Sequence, residues 1–428
     1  MKKIAGYPRF IARFVSWALL ASALGVSPAS AAPALTLADI YNPAKVIRVD
    51  LTLPAASVTS LNDPKTFRTY VPGQVKIVTN TASSPLLDVS VKLKGSTSMS
   101  ALRATPSFKI KFKKDANGQG YLGLRRMTLN AMTQDTSKIH EFGAYALFNA
   151  MNVPAPKTGW AKVSVNGVSK GLYVNVEQPD QIFMAKRFKD ITQHIYEGIA
   201  TKDLKIGNDD GLEQTGAFLV DYGWKVTPNK FDLGELIGVS NETEQAIWFE
   251  RMNEYFDRDT LITTFAVESF LGHWDGYSGP DINNYYLRSS TRNKFTFIPW
   301  GVDQTFGENR QTETLGDTFY YPLLSERADQ PWAKNLKRGM LYVKCINYKP
   351  CRTQYLLKLK AVSAKATSMK LGDLMTKTAK IIDPTLAIQF KSSPSLLTQI
   401  RNEQARSVRF IGVQQSKVKK VLAEAGIK

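Results

Sequence analysis

The chain has 428 residues, of which 43% are hydrophobic and 22% are charged, so it is long enough to fold as two packed lobes or domains. Lys and Arg outnumber Asp and Glu by 56 to 37, which gives a formal net charge of +19. This charge favours acidic partners such as nucleotide phosphates, anionic envelope polymers or acidic proteins. The sequence contains no recognisable nucleic-acid-binding motif, so nucleic acid is not an expected partner. We interpret the basic residues as spread along the chain rather than gathered in one tail.

Residues 1–31 are typical of an export signal. A start with four basic residues is followed by the short apolar run FVSWALLASALGV, and Ala29-Ser30-Ala31 offers the small residues of a cleavage site. The run is short for a membrane span and no later stretch reaches that length, so we expect no stable span after cleavage, with an uncleaved anchor as the alternative. The sequence therefore predicts an exported protein that is periplasmic, secreted or associated with the cell envelope.

The two cysteines, Cys345 and Cys351, stand close together in the sequence. In an oxidising compartment they would close one small disulfide loop, and the sequence alone leaves their oxidation state open. The three histidines are far apart, and the cysteines do not have the spacing of a zinc site. A zinc centre and a His-dependent nucleophilic triad are therefore not expected.

The first part of the mature chain, residues 32–185, is predicted to be rich in β-strands. Apolar and polar residues alternate in KVIRVDLTL, GQVKIVTN, LLDVSVKLKG and SFKIKFKK, and this period of two predicts the strands of a sheet. In the last run Lys109 and Lys111 lie on the face opposite Phe108 and Ile110, so one lysine can point into a cleft. The small-residue turn KGSTSM before it resembles a loop that covers phosphates. A polar hairpin with a solvated basic edge is the alternative.

A strand and a helix follow at residues 127–152, and then a hairpin marked by Asn166-Gly167. Glu177 ends the second strand of this hairpin, where it is either a site carboxylate or a surface residue. Residues 186–245 are polar and rich in Gly and Asp, which favours a connection or insertion without assigned chemistry. Further on helical patterns dominate, and we interpret the basic faces of the last helices as solvated surface.

Residues 270–307 carry the strongest signal for chemistry. They contain a carboxylate at Asp275, an amide pair at Asn283 and Asn284, and a second carboxylate at Asp303. A kinase-type site needs one carboxylate to orient the attacking hydroxyl, followed along the chain by an Asn and a second Asp that hold the divalent metal. The alternative is a β-hairpin in which these residues only make turns.

Several separated segments together resemble the CotH kinase family, the spore-coat protein kinases and their bacterial relatives. The segments are VKLKGSTSM, SFKIKF, LNAMTQDTSKIHEFGAYALF, VSVNGVSKGLYVNVEQPDQIF, HWDGYSGPDINNYYL and FIPWGVDQTFG. Their order and spacing carry the resemblance, rather than any one motif. It implies an α+β, atypical protein-kinase-like fold of two lobes, with ATP and Mg²⁺ or Mn²⁺ bound in the cleft.

Under this resemblance the mature chain divides into three parts. Residues 32–185 would form a mainly β N-lobe, residues 186–245 a connecting or inserted segment, and residues 246–428 a mainly helical C-lobe. The implied reaction is transfer of the γ-phosphate of ATP to Ser or Thr of a protein substrate. The identity of that protein and the oligomeric state have no signal in the sequence.

The resemblance implies that Asp275 is the catalytic carboxylate and that Asn284 and Asp303 are metal ligands. One departure bears on these roles, because the family usually has Trp-Asp-x-Asp where this chain has Gly301 after the tryptophan. If the missing carboxylate is a metal ligand in the family, its loss would weaken metal binding. If it only supports the site, its loss would leave catalysis intact. The alternative is a non-catalytic protein of the envelope or coat that keeps the kinase-like fold to bind partners.

The resemblance further implies a nucleotide-binding set on the β-rich side. Lys111, with Lys109 as the second choice, would contact the phosphates, and Glu177 would lie near the junction of the lobes and face the nucleotide. Transfer of a nucleotidyl group in place of phosphate is a third alternative, since the outcome depends on how ATP is oriented.

Overall fold

The computed structural model describes residues 34–96, 98–116, 118, 120–198, 202–207, 215–279, 281–308 and 338–428. The predicted export signal at residues 1–31 lies outside the described residues. Within them, no helix combines the length and the apolar character that crossing a membrane requires.

Seven strands of the described chain close into a barrel, because each has one apolar face that it can bury against the others. They are β1 (Val46–Thr52), β2 (Val71–Val78), β3 (Leu87–Lys94), β4 (Ser107–Phe112), β5 (Arg126–Asn130), β6 (Thr158–Val165) and β7 (Val168–Glu177). Around the barrel the order is β1-β2-β3-β4-β5-β7-β6, and neighbours are antiparallel except for the parallel pair of β1 and β6. The predicted strands are present, but they form a closed barrel rather than a simple sheet.

The alternation along β4 decides which of its side chains can reach a cleft. Phe108, Ile110 and Phe112 lie in the core of the barrel with at most 2% of their surface exposed. Lys109 and Lys111 therefore point outward. Lys109 is half-buried, whereas Lys111 is exposed, so the two lysines of one face meet different surroundings.

A second sheet joins the central stretch to the segment that precedes it. Its strands are β8 (Thr192–Gly198), β9 (Phe218–Tyr222), β10 (Tyr285–Ser290) and β11 (Phe295–Pro299). They are antiparallel in the order β11-β10-β8-β9. Two of these strands come from residues 186–245, for which the sequence predicted a connection or insertion. That segment is therefore part of the framework around the predicted site.

Helices fill much of the rest of the described chain. They are α1 (Leu37–Ile40), α2 (Ala55–Asn62), α3 (His140–Ala150), α4 (Gln181–Arg187), α5 (Phe231–Ser240), α6 (Gln245–Tyr255), α7 (Arg258–Leu271), α8 (Met340–Asn347), α9 (Lys349–Ser368), α10 (Leu371–Gln389) and α11 (Pro394–Glu424). Helix α7 is buried along most of its length and stops at Gly272, whose φ of 66° is a left-handed conformation that glycine adopts at little cost. The loop that carries Asp275 starts there. Cys345 in α8 and Cys351 in α9 form a disulfide, so the small loop that the sequence allows is closed.

A buried charged network ties the segment between α4 and α6 to the second sheet. His194 on β8 lies 2.9 Å through Nδ1 from Asp232 Oδ2 and 2.9 Å through Nε2 from the carbonyl oxygen of Thr227. The hydroxyls of Tyr196 and Ser289 donate to the same carboxylate at 2.7 and 2.6 Å. Burial alone would lower the pKa of His194, but its hydrogen bonds to Asp232 and Thr227 raise it overall. The network therefore favours a protonated imidazole paired with a carboxylate.

The free energy of unfolding is expected to fall as the pH rises above 6.5, the ordinary pKa of histidine. A histidine whose pKa is raised by folding adds stability that is complete below the unfolded pKa and is lost as the pH passes the folded value. Urea denaturation between pH 6 and pH 9 measures how steeply the free energy of unfolding changes with pH. His194→Gln, which cannot be charged, is the control, and equal slopes in the two proteins would contradict the prediction.

Barrel, second sheet and helices make the described chain an α+β protein, as predicted. The barrel occupies residues 46–177, and helices dominate the described residues after β11. The three-part division proposed above stays a prediction.

Candidate functional site

A cleft of about 320 Å³ lies between the barrel and the second sheet, which is a volume at the lower end for small-molecule sites. Its walls come from β3, β4 and the turn between them, from β8, and from the loops on either side of the β10–β11 hairpin. The lining residues are Arg68, Lys92, Leu93, Lys94, Gly95, Ser96, Ser98, Met99, Lys109, Asn130, Gln134, Glu197, Asn283, Asn284, Trp300, Gly301 and Asp303. Most of these side chains are polar or charged, so the cleft suits a charged ligand.

Lys109 lines the cleft, whereas Lys111 lies outside it. The Nζ atom of Lys111 is 5.7 Å from the centre of the Tyr70 ring on the exposed side of β4. Burial lowers the pKa of Lys109 to about 8, with Glu197 opposing the shift and Lys94 adding to it. An anion in the cleft would favour the charged form of Lys109. The geometry therefore favours the second of the two lysine candidates for a phosphate contact.

The small-residue turn after β3 forms one rim of the cleft. Gly95 has a φ of 127°, and a Cβ atom there would lie 2.8 Å from Ser98 Oγ and 3.0 Å from the backbone nitrogen of Met99. The turn thus requires glycine at this position. Gly95, Ser96 and Ser98 bring backbone N–H groups and hydroxyls to the cleft, and such groups can donate hydrogen bonds to phosphate oxygens.

Asp275 and Asn284 are brought into direct contact. Asn284 Nδ2 donates to Asp275 Oδ2 at 2.6 Å and to the carbonyl oxygen of Gly301 at 3.3 Å. Asn284 lines the cleft, while Asp275 is only 4% exposed and lies behind it. On the far side His273 Nδ1 is 3.2 Å from Asp275 Oδ1; burial would lower the pKa of His273, but Asp275 raises it overall. The predicted catalytic carboxylate therefore lies between the imidazole of His273 and the predicted metal ligand.

Asp303 reaches the same cleft from the loop after β11. Burial and the negative charge of Asp275 raise the pKa of Asp303 to about 6, and Lys94 opposes the shift. Among the residues that the structure describes, no side chain donates a hydrogen bond to the Asp303 carboxylate. Its oxygens are therefore open to a cation.

Two charged residues of the cleft were not singled out from the sequence. Lys94 ends β3, and its Nζ atom is 5.9 Å from the centre of the Trp300 ring. Glu197 lies on β8 and its charge supports the protonated form of Lys109. Lys94 stands in the KGSTSM turn that the sequence did indicate, so a signal for it existed. Glu197 has no local signal, because only the pairing of β8 with β10 brings it to the cleft.

Glu141 on α3 is a third charged residue that was not singled out from the sequence, although it stands in the segment LNAMTQDTSKIHEFGAYALF. It is buried, and Asn130 Nδ2 donates to its Oε2 at 2.7 Å. Burial and the negative charge of Asp303 raise the pKa of Glu141 to about 8, whereas Lys94 lowers it. The carboxyl groups of Glu141 and Asp303 thus both interact with the positive charge of Lys94 at the base of the cleft.

Glu177 lies outside the cleft, in a buried ion pair at the end of β7. Arg187 Nη2 is 2.5 Å from Glu177 Oε2, and the backbone N–H of Lys157 donates to the same oxygen at 3.1 Å. This pair fastens β7 to α4. The structure therefore gives Glu177 a structural partner and no contact with the cleft lining.

Three side chains behind the Asp303 loop lie close enough to share a cation. The ligand atoms of Asp135, His140 and Glu308 are all within 4.8 Å of one another. The imidazole already bridges them, because His140 Nδ1 is 2.9 Å from the carbonyl oxygen of Asp303, 3.3 Å from Asp135 Oδ1 and 3.4 Å from Glu308 Oε2. Its Nε2 is 2.6 Å from Ser407 Oγ on α11. His140 thus links the backbone of Asp303 to the last helix.

The carboxylates of this cluster are also satisfied by protein donors. Asp135 accepts hydrogen bonds from Ser137 Oγ at 2.6 Å and from the backbone N–H groups of Lys138 and His140 at 2.8 Å. Glu308 accepts from the hydroxyl and the backbone N–H of Thr136. The cluster is therefore better suited to supporting the Asp303 loop than to binding a metal.

The cleft itself fits a divalent metal. Mg²⁺ and Mn²⁺ prefer carboxylate and carbonyl oxygens. Because the amide nitrogen of Asn284 faces Asp275 and Gly301, its carbonyl oxygen is left without a described hydrogen-bond donor. The Asp303 carboxylate also receives no hydrogen bond from a described side chain, and burial and Asp275 raise its pKa. A cation bound by the Asn284 carbonyl oxygen and the Asp303 carboxylate would therefore stabilise the charged form of Asp303.

Comparison with known proteins identifies the family. The chain is similar to inner spore coat protein H of Bacillus subtilis (strain 168), with 26% identity over 200 residues that cover 46% of this chain and 54% of that protein, so the match spans about half of the relative's length. The Helicobacter pylori proinflammatory kinase CtkA aligns over 84% of this chain and 95% of its own, with 11% identity and a TM-score of 0.31. A sequence model described as CotH kinase protein matches residues 91–413. Because this match covers well over half of the chain, the protein belongs to the CotH kinase family, as its sequence motifs predicted.

Proposed function

We propose that this protein is a kinase that transfers the γ-phosphate of ATP to Ser or Thr of a protein substrate, with Mg²⁺ or Mn²⁺ as the metal. The observation that carries the proposal is one cleft in which Lys109 and Lys94 face Asn284 and Asp303. Cations for the phosphates and oxygen ligands for a metal are the two requirements of phosphoryl transfer. Family membership supports the same reaction class. The barrel would serve as the N-lobe and the helical part as the C-lobe.

In this proposal each group of residues has one task. A divalent metal, when bound, would supply positive charge that offsets the negative charge of the phosphates. Asn284 and Asp303 would hold it through their side-chain oxygens. Lys109 and Lys94 would donate charged hydrogen bonds to the phosphates, and the turn after β3 would cover them. Asp275 would either orient the acceptor hydroxyl and accept its proton, or hold Asn284 in position through their hydrogen bond.

Lys109→Met is expected to weaken ATP binding about tenfold to a hundredfold, because a charged hydrogen bond contributes roughly 1.5–3 kcal/mol. Lys111→Met on the same strand is the matched control, since its side chain lies outside the cleft. Calorimetric titration with ATP at pH 7 measures both affinities. Wild-type affinity should also decline as the pH rises above about 8, where Lys109 loses its proton. A larger loss in the Lys111 variant would reverse the assignment.

A non-catalytic binding protein of the envelope or coat is the second candidate, and Gly301 favours it because the family usually has a carboxylate there. Export, expected from residues 1–31, and the similarity to a spore coat protein support such a location for either candidate. Incubation of residues 32–428 with γ-labelled ATP, Mn²⁺ or Mg²⁺ and a Ser/Thr-rich acceptor separates the two. Label on the acceptor or on the protein itself supports the kinase. Folded protein without label, together with a melting temperature that ATP and Mn²⁺ leave unchanged, supports the binding protein.

A further inference from the structure

The basic residues are spread along the chain as expected above, but the net positive charge comes almost entirely from the last four helices, where acidic residues are few. Residues 338–428 contain 18 Lys and Arg against 4 Asp and Glu. Residues 32–337 contain 34 basic and 33 acidic residues, so they are nearly neutral. Almost the whole excess of basic over acidic residues in the mature chain therefore lies in α8–α11 and the residues next to them.

The few carboxylates of this helical part do not neutralise its surface. Asp383 pairs with Arg401 at 2.8 Å, and Glu403 pairs with Arg406 at 2.8 Å. Glu424 lies 3.9 Å from Lys420. Eight exposed basic residues on these helices and their junctions form no ion pair with any residue that the structure describes: Lys349, Lys365, Lys370, Lys377, Lys380, Lys391, Arg409 and Lys419. The surplus is thus on the surface and uncompensated.

Helix α11 shows how the charge is displayed. Its 31 residues make a rod about 46 Å long. Ile400, Val418 and Leu422 are buried against the rest of the protein. At 100° per residue, Arg409 lies about 180° around the rod from Ile400 and Val418, whereas Lys419 lies about 100° from them, on the flank of the helix. Both side chains are exposed. The solvent side of the helix therefore carries unpaired positive charge at two positions about 15 Å apart along the rod.

We propose that α8–α11 form a docking surface for an acidic segment of a protein partner. Its identification with the substrate of the kinase rests on the function proposed above. Long-range attraction between opposite charges raises the association rate and the local concentration of such a partner at the surface of the protein. An extended acidic segment of about five residues is long enough to reach both Arg409 and Lys419.

The surface composition separates this partner from two other polyanions. The large exposed hydrophobic side chains of α8–α11 are Leu357, Ile388 and Leu396, one on each of three helices, so no apolar strip is available to insert into a bilayer. None of the exposed side chains on these described helices is aromatic, so stacking platforms for nucleic-acid bases are lacking. Charge without apolar or aromatic contacts fits a flexible chain of carboxylates.

The test measures binding of a fluorescent poly-glutamate peptide of about 20 residues, which when extended is longer than the whole of α11. Residues 32–428 are titrated at low and at high salt, in parallel with a Gly/Ser peptide of equal length, single-stranded DNA and equimolar phosphatidylcholine–phosphatidylglycerol vesicles. The variant is Arg409→Glu with Lys419→Glu. The matched control is Lys76→Glu with Lys162→Glu, which makes the same charge change at exposed positions of the barrel.

We expect salt-sensitive binding of poly-glutamate that falls at least about fivefold in the α11 variant and less than twofold in the barrel control. Equal losses in both variants, no binding of poly-glutamate, or tighter binding of DNA or vesicles would overturn the proposal. Wild type that binds the peptide but transfers no phosphate would refute the kinase and leave the docking surface standing. With an active enzyme, an acidic extension on the acceptor should lower KM in wild type and leave kcat unchanged.

Discussion

Asp303→Asn is expected to reduce phosphoryl transfer on the order of a thousandfold, the scale of losing one well-placed electrostatic contact at a transferring group. The carboxylate lines the cleft and, among the described residues, receives no side-chain hydrogen bond. An amide keeps the shape of the side chain but removes the charge that a divalent metal requires. The fold should survive, because the substitution also relieves repulsion with Asp275 and Glu141.

The readout has two parts. Initial rates over a range of Mn²⁺ concentrations give the metal concentration for half-maximal activity, which should rise in the Asp303 variant. The upward shift of melting temperature that Mn²⁺ and ATP cause in wild type should disappear, since a ligand stabilises only the protein that binds it. Asp281→Asn is the control, because this half-buried carboxylate belongs to the loop of Asp275 and does not line the cleft. Wild-type activity in the Asp303 variant would refute its role as a metal ligand.

Asp275→Asn is the companion experiment, and its kinetic pattern separates two roles. A carboxylate that orients the acceptor hydroxyl lowers kcat when it is removed and leaves the metal requirement unchanged. A carboxylate that acts through Asn284, to which it is bound at 2.6 Å, raises the metal requirement instead. The buried position of Asp275 behind Asn284 makes this distinction necessary, because the acceptor must otherwise pass Asn284 to reach it. An unchanged rate and an unchanged metal requirement together would remove Asp275 from the site.

Local patterns in the sequence predicted the parts of this site that are close together along the chain. The Asn166-Gly167 turn closes the β6–β7 hairpin with φ values of 49° and 80°, as the residue pair indicated. Alternation along β4 placed Lys109 and Lys111 on one outward face, but it could not tell which of them a later segment would cover. That choice depends on β8, which brings Glu197 to the cleft from outside every recognised motif.

Contacts between distant residues were beyond the reach of pattern reasoning. His140 binds Ser407 across 267 positions of the chain, and neither residue has a neighbour that signals the other. Closure of the barrel is similar, because the parallel pairing of β1 with β6 follows from the curvature of the sheet and leaves no mark in the alternation of either strand. The scarcity of acidic residues after residue 337 was present in the sequence. Only the structure shows that the basic residues there belong to four helices that expose them.

Gly301→Asp, which restores the residue that the family usually has, is expected to lower stability by about 3 kcal/mol and to lower activity rather than raise it. Gly301 has a φ of 53°, a conformation that costs other residues roughly 1–2 kcal/mol. A Cβ atom there would also lie 2.6 Å from Asn284 Cγ, and such overpacking costs about 1–3 kcal/mol. The clash is relieved only if Asn284 moves, which breaks its 2.6 Å hydrogen bond to Asp275.

The control for this prediction is Gly167→Ala, because Gly167 has a φ of 80° and no atom within reach of an added Cβ. Gly167→Ala has the energetic cost of a left-handed backbone without a steric clash. Comparing the free energies of unfolding of the two variants by urea denaturation therefore measures the additional cost of the contact with Asn284. If Gly301→Asp were more active than wild type, the absent carboxylate would be a missing metal ligand and the wild-type protein an impaired kinase. If it is less active, as we expect, Asn284 occupies the space that glycine leaves open, and the departure from the family pattern is an adaptation of this site that is compatible with catalysis.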